Sequence, residues 1–472
     1  MIDRIVVLGA TGDLARRKLM PAIGSLLEGG HLPASATVTA IGRRDWDDRQ
    51  YLDWLTGGGD ARIGPRLASV LGYRVADVAD AGELRTALEP LGAPLVAYLA
   101  LPPALFGSTI RALGTMDLPT GSRIVVEKPF GEGFDSARRL NELLHEALPE
   151  DSIYRIDHFL HKQTVQNILG LRLANRILEP LWSRQHIERI DIVWDEVLGL
   201  EGRAGYYDHT GALRDMVQNH LLQLLALIAM EPPTTLSARD LRDRKVEALR
   251  TVRQLSGDEV ARQTVRGRYT AGSVAGRQFG DYAAEEDVDA ARGTETFADV
   301  VLSVDSERWA GVPFRLRSGK ALAADRREIT VQFRSPAPLG FGQAHDPESN
   351  VLCLTMDPDR IALRLNINGP GDPFDLEAID LDVDLAGHEL PAYARLLIDV
   401  LEGDPVLSIR DDEAEEQWRI VDPILAAWHR GRPPLLAYEA GSTGPAVPGP
   451  RSDGARTGGA ARVRRGKPAT AR

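Results

Sequence analysis

The chain has 472 residues, 43% hydrophobic and 26% charged, with a formal net charge of -12. That length exceeds one typical core and predicts two domains, and the acidic balance argues against sequence-independent nucleic-acid binding by the folded body. A single cysteine, Cys353, excludes an intramolecular disulfide framework and fits a reducing compartment.

Met1-Ile-Asp-Arg runs straight into an apolar strand pattern with no signal-peptide character, so a cytoplasmic protein is expected. The longest apolar stretch, Leu221 to Met230, is too short to span a bilayer, so no membrane partner is expected. Ile5 to Leu8, Val38 to Ile41, Leu95 to Leu99 and Arg123 to Val126 read as short buried strands that alternate with helical patterns. This predicts βαβ units and a Rossmann-like, doubly wound parallel sheet over residues 1–175.

The segment Gly9-Ala10-Thr11-Gly12-Asp13-Leu14 follows the first strand and opens a helix. Glycines there let the backbone approach a pyrophosphate, whose charge faces the positive end of the helix dipole. A tight structural turn is the plain alternative. The second strand ends at Ile41-Gly-Arg43-Arg44-Asp45. Arginine at this place accommodates a ribose 2′-phosphate and an acidic residue holds a 2′-hydroxyl, so NADP is preferred and NAD stays open because of Asp45. Glu127-Lys128-Pro129-Phe130-Gly131 follows the fourth strand, at the carboxyl edge where such sheets present ligands.

Further on, Arg155-Ile-Asp157-His158-Phe-Leu-His161-Lys162 combines a carboxylate with an array of donors suited to a phosphate dianion. A helix starting near His158 would put His158 and Lys162 on one face. An ordinary solvated face is the alternative, and the absence of a carboxylate or cysteine at the usual neighbouring positions argues against a metal site. In the helix expected after Asp208, His220 has Met216, Val217 and Leu224 as face neighbours, so its imidazole should be buried and needs a partner. Most such histidines are satisfied core residues; Asp157 is the carboxylate that would give this one another role.

Ile187 to Val197, Ala298 to Val304, Glu328 to Phe333, Val351 to Met356, Ile361 to Ile367 and Ile379 to Leu385 read as strands with little helix between them. Helical patterns resume at 390–402 and 412–429. Residues 176–440 are thus expected to form an α+β domain with a large, mainly antiparallel sheet. From Gly441 the composition turns to Gly, Pro, Ala and Arg, which predicts a disordered tail over 441–472. The partner of its basic end, residues 451–472 with the Arg462 to Lys467 cluster, is undetermined.

The glycine turn, Arg155 to Lys162 and Gly205 to His220 together resemble glucose-6-phosphate dehydrogenase, over nearly the whole chain to about residue 440. The Glu-Lys-Pro stretch is also found among glucose–fructose oxidoreductase-like enzymes. The resemblance implies an oxidoreductase with His220 as general base and Asp157 orienting it. It implies His158 and Lys162 on the substrate phosphate, Lys18 between cofactor and substrate, and Lys128 on the substrate. Glu196 and Asp215 would take sugar hydroxyls, with Lys320 completing the pocket. Pro129 would shape the nicotinamide pocket beside Lys128. It also implies a homodimer or homotetramer built through the second sheet.

The chemistry that follows is coherent. Oxidising an anomeric carbon releases a hydride while the attached hydroxyl loses its proton, which a neutral histidine with a pKa of ~6.5 can accept. The nicotinamide takes the hydride, so no metal is expected. Phe159 stands where that family has a tyrosine, His161 where it has a glycine, and Asp325 where it has a basic residue. A dehydrogenase of another sugar or sugar phosphate, and a non-catalytic sensor of NADP or sugar phosphate, are the alternatives.

Overall fold

The computed structural model describes residues 1–57, 63–336, 347–369, 376–387 and 390–446. Six strands form the first sheet: β1 (Arg4–Leu8), β2 (Thr37–Gly42), β3 (Leu71–Val75), β4 (Val96–Leu99), β5 (Arg123–Glu127) and β6 (Ile153–Ile156), in the order β3-β2-β1-β4-β5-β6. Every pairing is parallel. The strands are near-continuous runs of buried apolar residues because helices cover both faces. The order reverses between β1 and β4, which leaves a ligand crevice at their carboxyl ends. Two of these strands, β3 and β6, carried no sequence signal: Leu71-Gly-Tyr-Arg-Val is only partly apolar, and Ile153–Ile156 contains Arg155.

The second sheet has nine strands: β7 (Ile187–Asp195), β8 (Thr264–Thr270), β11 (Phe297–Ser303), β12 (Pro313–Gly319), β13 (Arg326–Phe333), β14 (Val351–Thr355), β15 (Arg360–Asn368), β16 (Leu376–Asp384) and β17 (Leu435–Glu439). A small hairpin, β9 (Gly272–Val274) with β10 (Arg277–Phe279), stands apart. The order is β16-β15-β14-β13-β7-β12-β11-β8-β17, antiparallel except where β7 meets β12 and β8 meets β17. The expectation of little helix among these strands does not hold. Helices Ala204–Ala212, Leu213–Leu221, Leu222–Ala229, Ala238–Arg250 and Asp258–Gln263 lie between β7 and β8. Their apolar faces share a core with Ile190 and Ile192 of β7, Val300 of β11 and Leu316 of β12.

Two late helices return to the first sheet. Ala392–Glu402 buries Leu396, Leu397, Val400 and Leu401 against Ile5, Val7 and Tyr98, and the Ile2 N–H donates to the Leu401 carbonyl at 2.8 Å. Asp411–His429 is anchored by the Trp418 indole, which donates to the Phe130 carbonyl at 2.8 Å. The disorder expected from Gly441 does not apply to residues 441–446. Gly441 N–H donates to Ala321 O at 2.8 Å, Ala323 N–H to Ser442 O at 2.9 Å, and Arg317 to Thr443 O at 2.8 Å. Residues 447–472, including Arg462 to Lys467, lie outside the described residues. Among the described residues no helix is long and apolar enough to cross a membrane.

Candidate active site

The glycine turn sits at the end of β1, in the crevice. Gly9 has φ +82°, and a Cβ there would lie 2.5 Å from the Ala100 carbonyl oxygen beyond β4. The Gly9 and Ala10 N–H groups both donate to Ile41 O, at 3.0 and 2.9 Å, and Tyr51 OH donates to Ala10 O at 2.9 Å. The bend is therefore tied to β2 and leaves bare backbone where a side chain would stand, as a pyrophosphate cradle requires. Thr11, Gly12, Asp13 and Leu14 lead into helical turns that continue through Ala15–Leu19 and Met20–Glu28. Arg43 and Arg44 are exposed just beyond β2. The Arg44 guanidinium lies 4.6 Å from the Trp46 ring, and Arg16 lies 4.8 Å from Trp54, so the rim carries a third arginine. Lys18 is exposed on the following turn, apart from the contacts that unite the other residues.

Asp157 follows β6, and its Oδ1 accepts from His220 Nδ1 at 2.6 Å and from the Phe159 N–H at 2.9 Å. Both side chains are buried. Lys128, after β5 and joined to Pro129 by a cis peptide bond, places Nζ 2.7 Å from His220 Nε2 and 2.8 Å from the Asp215 carbonyl. A salt bridge of 3.3 Å links it to the Asp215 carboxylate. His220 thus holds its proton on Nδ1 and offers Nε2 as acceptor.

Asp215 and His220 meet the same ammonium because Leu213–Leu221 winds as a π-helix. Residues five apart on an α-helix point about 140° away from each other. The wider i→i+5 turn brings them to one face.

Phe159 lies flat on His220, with ring centroids 3.7 Å apart and planes 6° from parallel, and packs 4.4 Å from Trp194. His158 meets His220 edge-on at 5.4 Å and stacks on Tyr393 at 5.6 Å. Lys162 Nζ sits over Phe159 and Trp194, at 5.3 and 5.0 Å from their centroids, and Arg327 covers Trp194 at 5.2 Å. Glu196 and Lys320 close the far side, at the ends of the parallel neighbours β7 and β12, with Nζ 2.7 Å from Glu196 Oε2.

One expectation changes, and two of the departures find their places. His158–His161 is a single 3-10 turn and Lys162 precedes the helix Gln163–Ala174, so His158 and Lys162 do not share an α-helical face. They meet around Phe159 instead. His161 turns away from the cluster and bonds Asp399 at 3.0 Å, so it does not replace the missing tyrosine hydroxyl. Asp325 accepts from the Val197 N–H at 2.9 Å and leaves Arg327 as the basic group beside Trp194.

The charges are tuned by burial. Burial alone would raise the Asp157 carboxyl, but the facing His220 and its hydrogen bonds hold it well below the carboxylate range. Burial and the Lys128 ammonium push His220 below its ordinary value. Burial drives His158 down to about 3, so it is a neutral hydrogen-bonding group. Burial also lowers Lys162, and lifts Glu127 to about 7 although Tyr98 and Tyr393 donate to it at 2.7 and 3.3 Å. Asp157, His158 and His220 lie close enough together to chelate a cation. The Lys128 ammonium already occupies the outer nitrogen of His220, which makes this donor set unsuited to a metal.

Sequence reasoning missed Trp194, Tyr393 and Glu127. The first two reach the cluster from distant segments, and only Glu127 carried a local hint, as the neighbour of Lys128.

Two family models cover the chain: "Glucose-6-phosphate dehydrogenase, NAD binding domain" matches residues 6–167, and "Glucose-6-phosphate dehydrogenase, C-terminal domain" matches residues 169–449. The chain belongs to the glucose-6-phosphate dehydrogenase family. A glucose-6-phosphate 1-dehydrogenase of Gluconobacter oxydans is 41% identical, across 93% of this chain and 94% of the relative. The crystal structure of the Mycobacterium avium glucose-6-phosphate 1-dehydrogenase superposes with TM-score 0.83 at 37% identity, covering 94% of this chain and 95% of that one. A glucose-6-phosphate dehydrogenase in complex with glucose 6-phosphate superposes with TM-score 0.84 at 30% identity over the same shares. Within this family the residues gathered above form a candidate dehydrogenase site, between the carboxyl ends of β5 and β6 and the second sheet.

Proposed function

We propose that this chain oxidises C1 of D-glucose 6-phosphate with NADP, giving 6-phospho-D-glucono-1,5-lactone, with His220 as general base. The observation that carries the assignment is the buried His220–Asp157 contact of 2.6 Å with Lys128 on the other imidazole nitrogen. Asp157 fixes the Nδ1–H tautomer and stabilises the imidazolium that forms. The C1 hydroxyl displaces the Lys128 ammonium from Nε2, which then accepts the hydroxyl proton, while the ammonium turns to the C1 oxygen. The bound nicotinamide supplies the hydride acceptor. As the C1–H bonding pair leaves and the O–H bond breaks, the carbonyl of the lactone forms.

Asp215 and Glu196 are placed to accept from sugar hydroxyls, held by Lys128 and Lys320 respectively. His158 donates to the phosphate as a neutral imidazole, while Lys162 provides charge. Lys18 stands on the turn after Leu14, on the cofactor side. Gly9 to Leu14 would hold the pyrophosphate, Pro129 the nicotinamide edge, and Arg43 and Arg44 the 2′-phosphate. The first 175 residues carry the cofactor and, with Lys128, His158 and Lys162, part of the substrate pocket, and residues 176–440 the rest of that pocket and the subunit contacts. Exposed Ile367, Leu381 and Val383 on β15 and β16 support a homodimer or homotetramer formed through that sheet. A cytoplasmic location accords with the single cysteine and the nicotinamide chemistry.

Initial rates at 340 nm, with glucose 6-phosphate and with glucose, each against NADP and NAD, test the proposal. Equal turnover of the two sugars would reject the phosphate socket, and an absence of any turnover would reject the catalytic reading.

A further inference from the structure

A second cavity, of about 390 Å³, opens beside the helix that carries His220, and none of the candidate-site residues lines it. Arg214 enters it from that helix, Arg266 from β8, Arg292 from the turn before β11, and His429 from the end of helix Asp411–His429. Trp428 and Leu425 supply apolar wall. The three arginines outnumber the two carboxylates of the lining, Asp208 and Glu295, on a chain whose net charge is -12, while burial and the arginines lower the pKa of His429.

The carboxylates within reach are already committed. Asp208 takes Arg292 at 3.0 Å, the Tyr282 hydroxyl at 2.8 Å and the Asp289 N–H at 3.1 Å. Glu295 is buried and accepts the Leu213 N–H at 2.9 Å; burial raises its carboxyl, with Arg214 and Arg266 opposing the rise. Asp422, near Arg214, accepts the Phe134 N–H at 2.8 Å. Arg214 and Arg266 have no salt bridge among the described residues. Arg266 is 8% exposed, and its Nε–H donates to a carbonyl, Pro433 O at 2.9 Å. Glu295 faces Arg266 only at longer range, and a buried guanidinium without a directly bonded anion is costly. An oxyanion between the two would offset that cost through fork-shaped hydrogen bonds. The volume lies in the range of small-ligand pockets and exceeds what a single ion fills.

We propose that this cavity binds a phosphate dianion, free or as the head of a small monoester, between Arg214 and Arg266. It is a site separate from the substrate socket, and Arg214 stands next to Asp215 on the shared helix.

The test is calorimetric titration of the full chain with inorganic phosphate and, separately, with phenyl phosphate. It is done in saturating NADP and in the Lys162→Ala background, so that the cofactor cleft and the proposed socket do not contribute. Saturable binding at one site per chain is expected, weakened roughly tenfold or more by Arg214→Gln, the loss typical of one charge-assisted hydrogen bond. Arg214→Lys, which retains the charge and removes the fork, should weaken it by a smaller factor. Should Arg214→Gln fail to fold, the Lys variant decides alone. Tighter binding of phenyl phosphate would identify a monoester, and equal binding the free ion; both support the site. Absence of saturable binding at millimolar phosphate, or affinity unaltered by the Arg214 changes, overturns the proposal.

Discussion

The Phe159 ring lies parallel to the His220 imidazole at 3.7 Å, while Asp157 holds that imidazole by its edge at 2.6 Å. One residue clamps the plane of the base and the other its rotation, and both belong to the segment after β6. A residue that lacks the hydroxyl usual in the family thus has a role of its own as a platform. Phe159→Ala should lower stability by about 3–5 kcal/mol, the usual cost of emptying a buried aromatic site. It should also lower kcat, because the freed imidazole samples other orientations. Urea unfolding together with steady-state rates checks both; a stable variant with unchanged kcat would remove the platform role.

His220→Asn should reduce kcat by several orders of magnitude with little change in KM, since a base acts in the transition state. Binding of glucose 6-phosphate should survive. Comparable activity in the variant would assign proton transfer to another group, with Lys128 the nearest candidate at 2.7 Å.

With His220 as the proposed base its neutral form would be the reactive one, and burial lowers its pKa below the ordinary 6.5. The acid limb of kcat/KM should therefore fall below pH 6.5, with activity lost as pH drops through the folded value. The same sign holds for stability. The unfolded histidine takes up its proton near pH 6.5 while the folded one resists it, so this group costs stability as the solution becomes more acid than that. An inflection above pH 6.5 would contradict the buried, Lys128-facing environment.

Lys162→Ala should raise KM for glucose 6-phosphate by roughly ten- to a hundredfold, the loss of one charge-assisted hydrogen bond. Turnover at saturation should change far less. His158, neutral over the working range, cannot compensate for the missing charge. An unchanged KM would take Lys162 out of the socket.

Ending the chain after Ala446 should leave activity intact, whereas ending it after Ala440 should impair it. The second cut removes the Gly441 bond to Ala321, the neighbour of Lys320, and the Thr443 bond to Arg317 on the strand that leads to it. Thermal melting and activity of the two truncations check this; equal behaviour would show that 441–446 is dispensable.

Much of the fold was legible because buried parallel strands are written as unbroken apolar runs, as in Ile5 to Leu8. Alternation also marked strands that carry charges, such as Ile187 to Val197, but not β12, where Arg315 and Arg317 pair with Asp299 and Asp195 across the sheet. The union of Asp157 with His220 was legible through their chemistry, since a buried imidazole needs a partner. The π-winding was not, because an α-helical period already explained the burial of His220 and nothing local marks the extra residue per turn. Tyr393 and Trp194 were invisible for a different reason, being ordinary core-forming side chains whose place beside His158 and Lys162 depends on long-range docking.

Helix Ala392–Glu402 covers one face of the first sheet and delivers Tyr393 to His158. During synthesis the cofactor-binding half therefore emerges with an uncovered apolar face, which stays open until more than two hundred further residues have left the ribosome. Excised alone, the first half would expose to water the surface that Leu396, Leu397, Val400 and Leu401 cover.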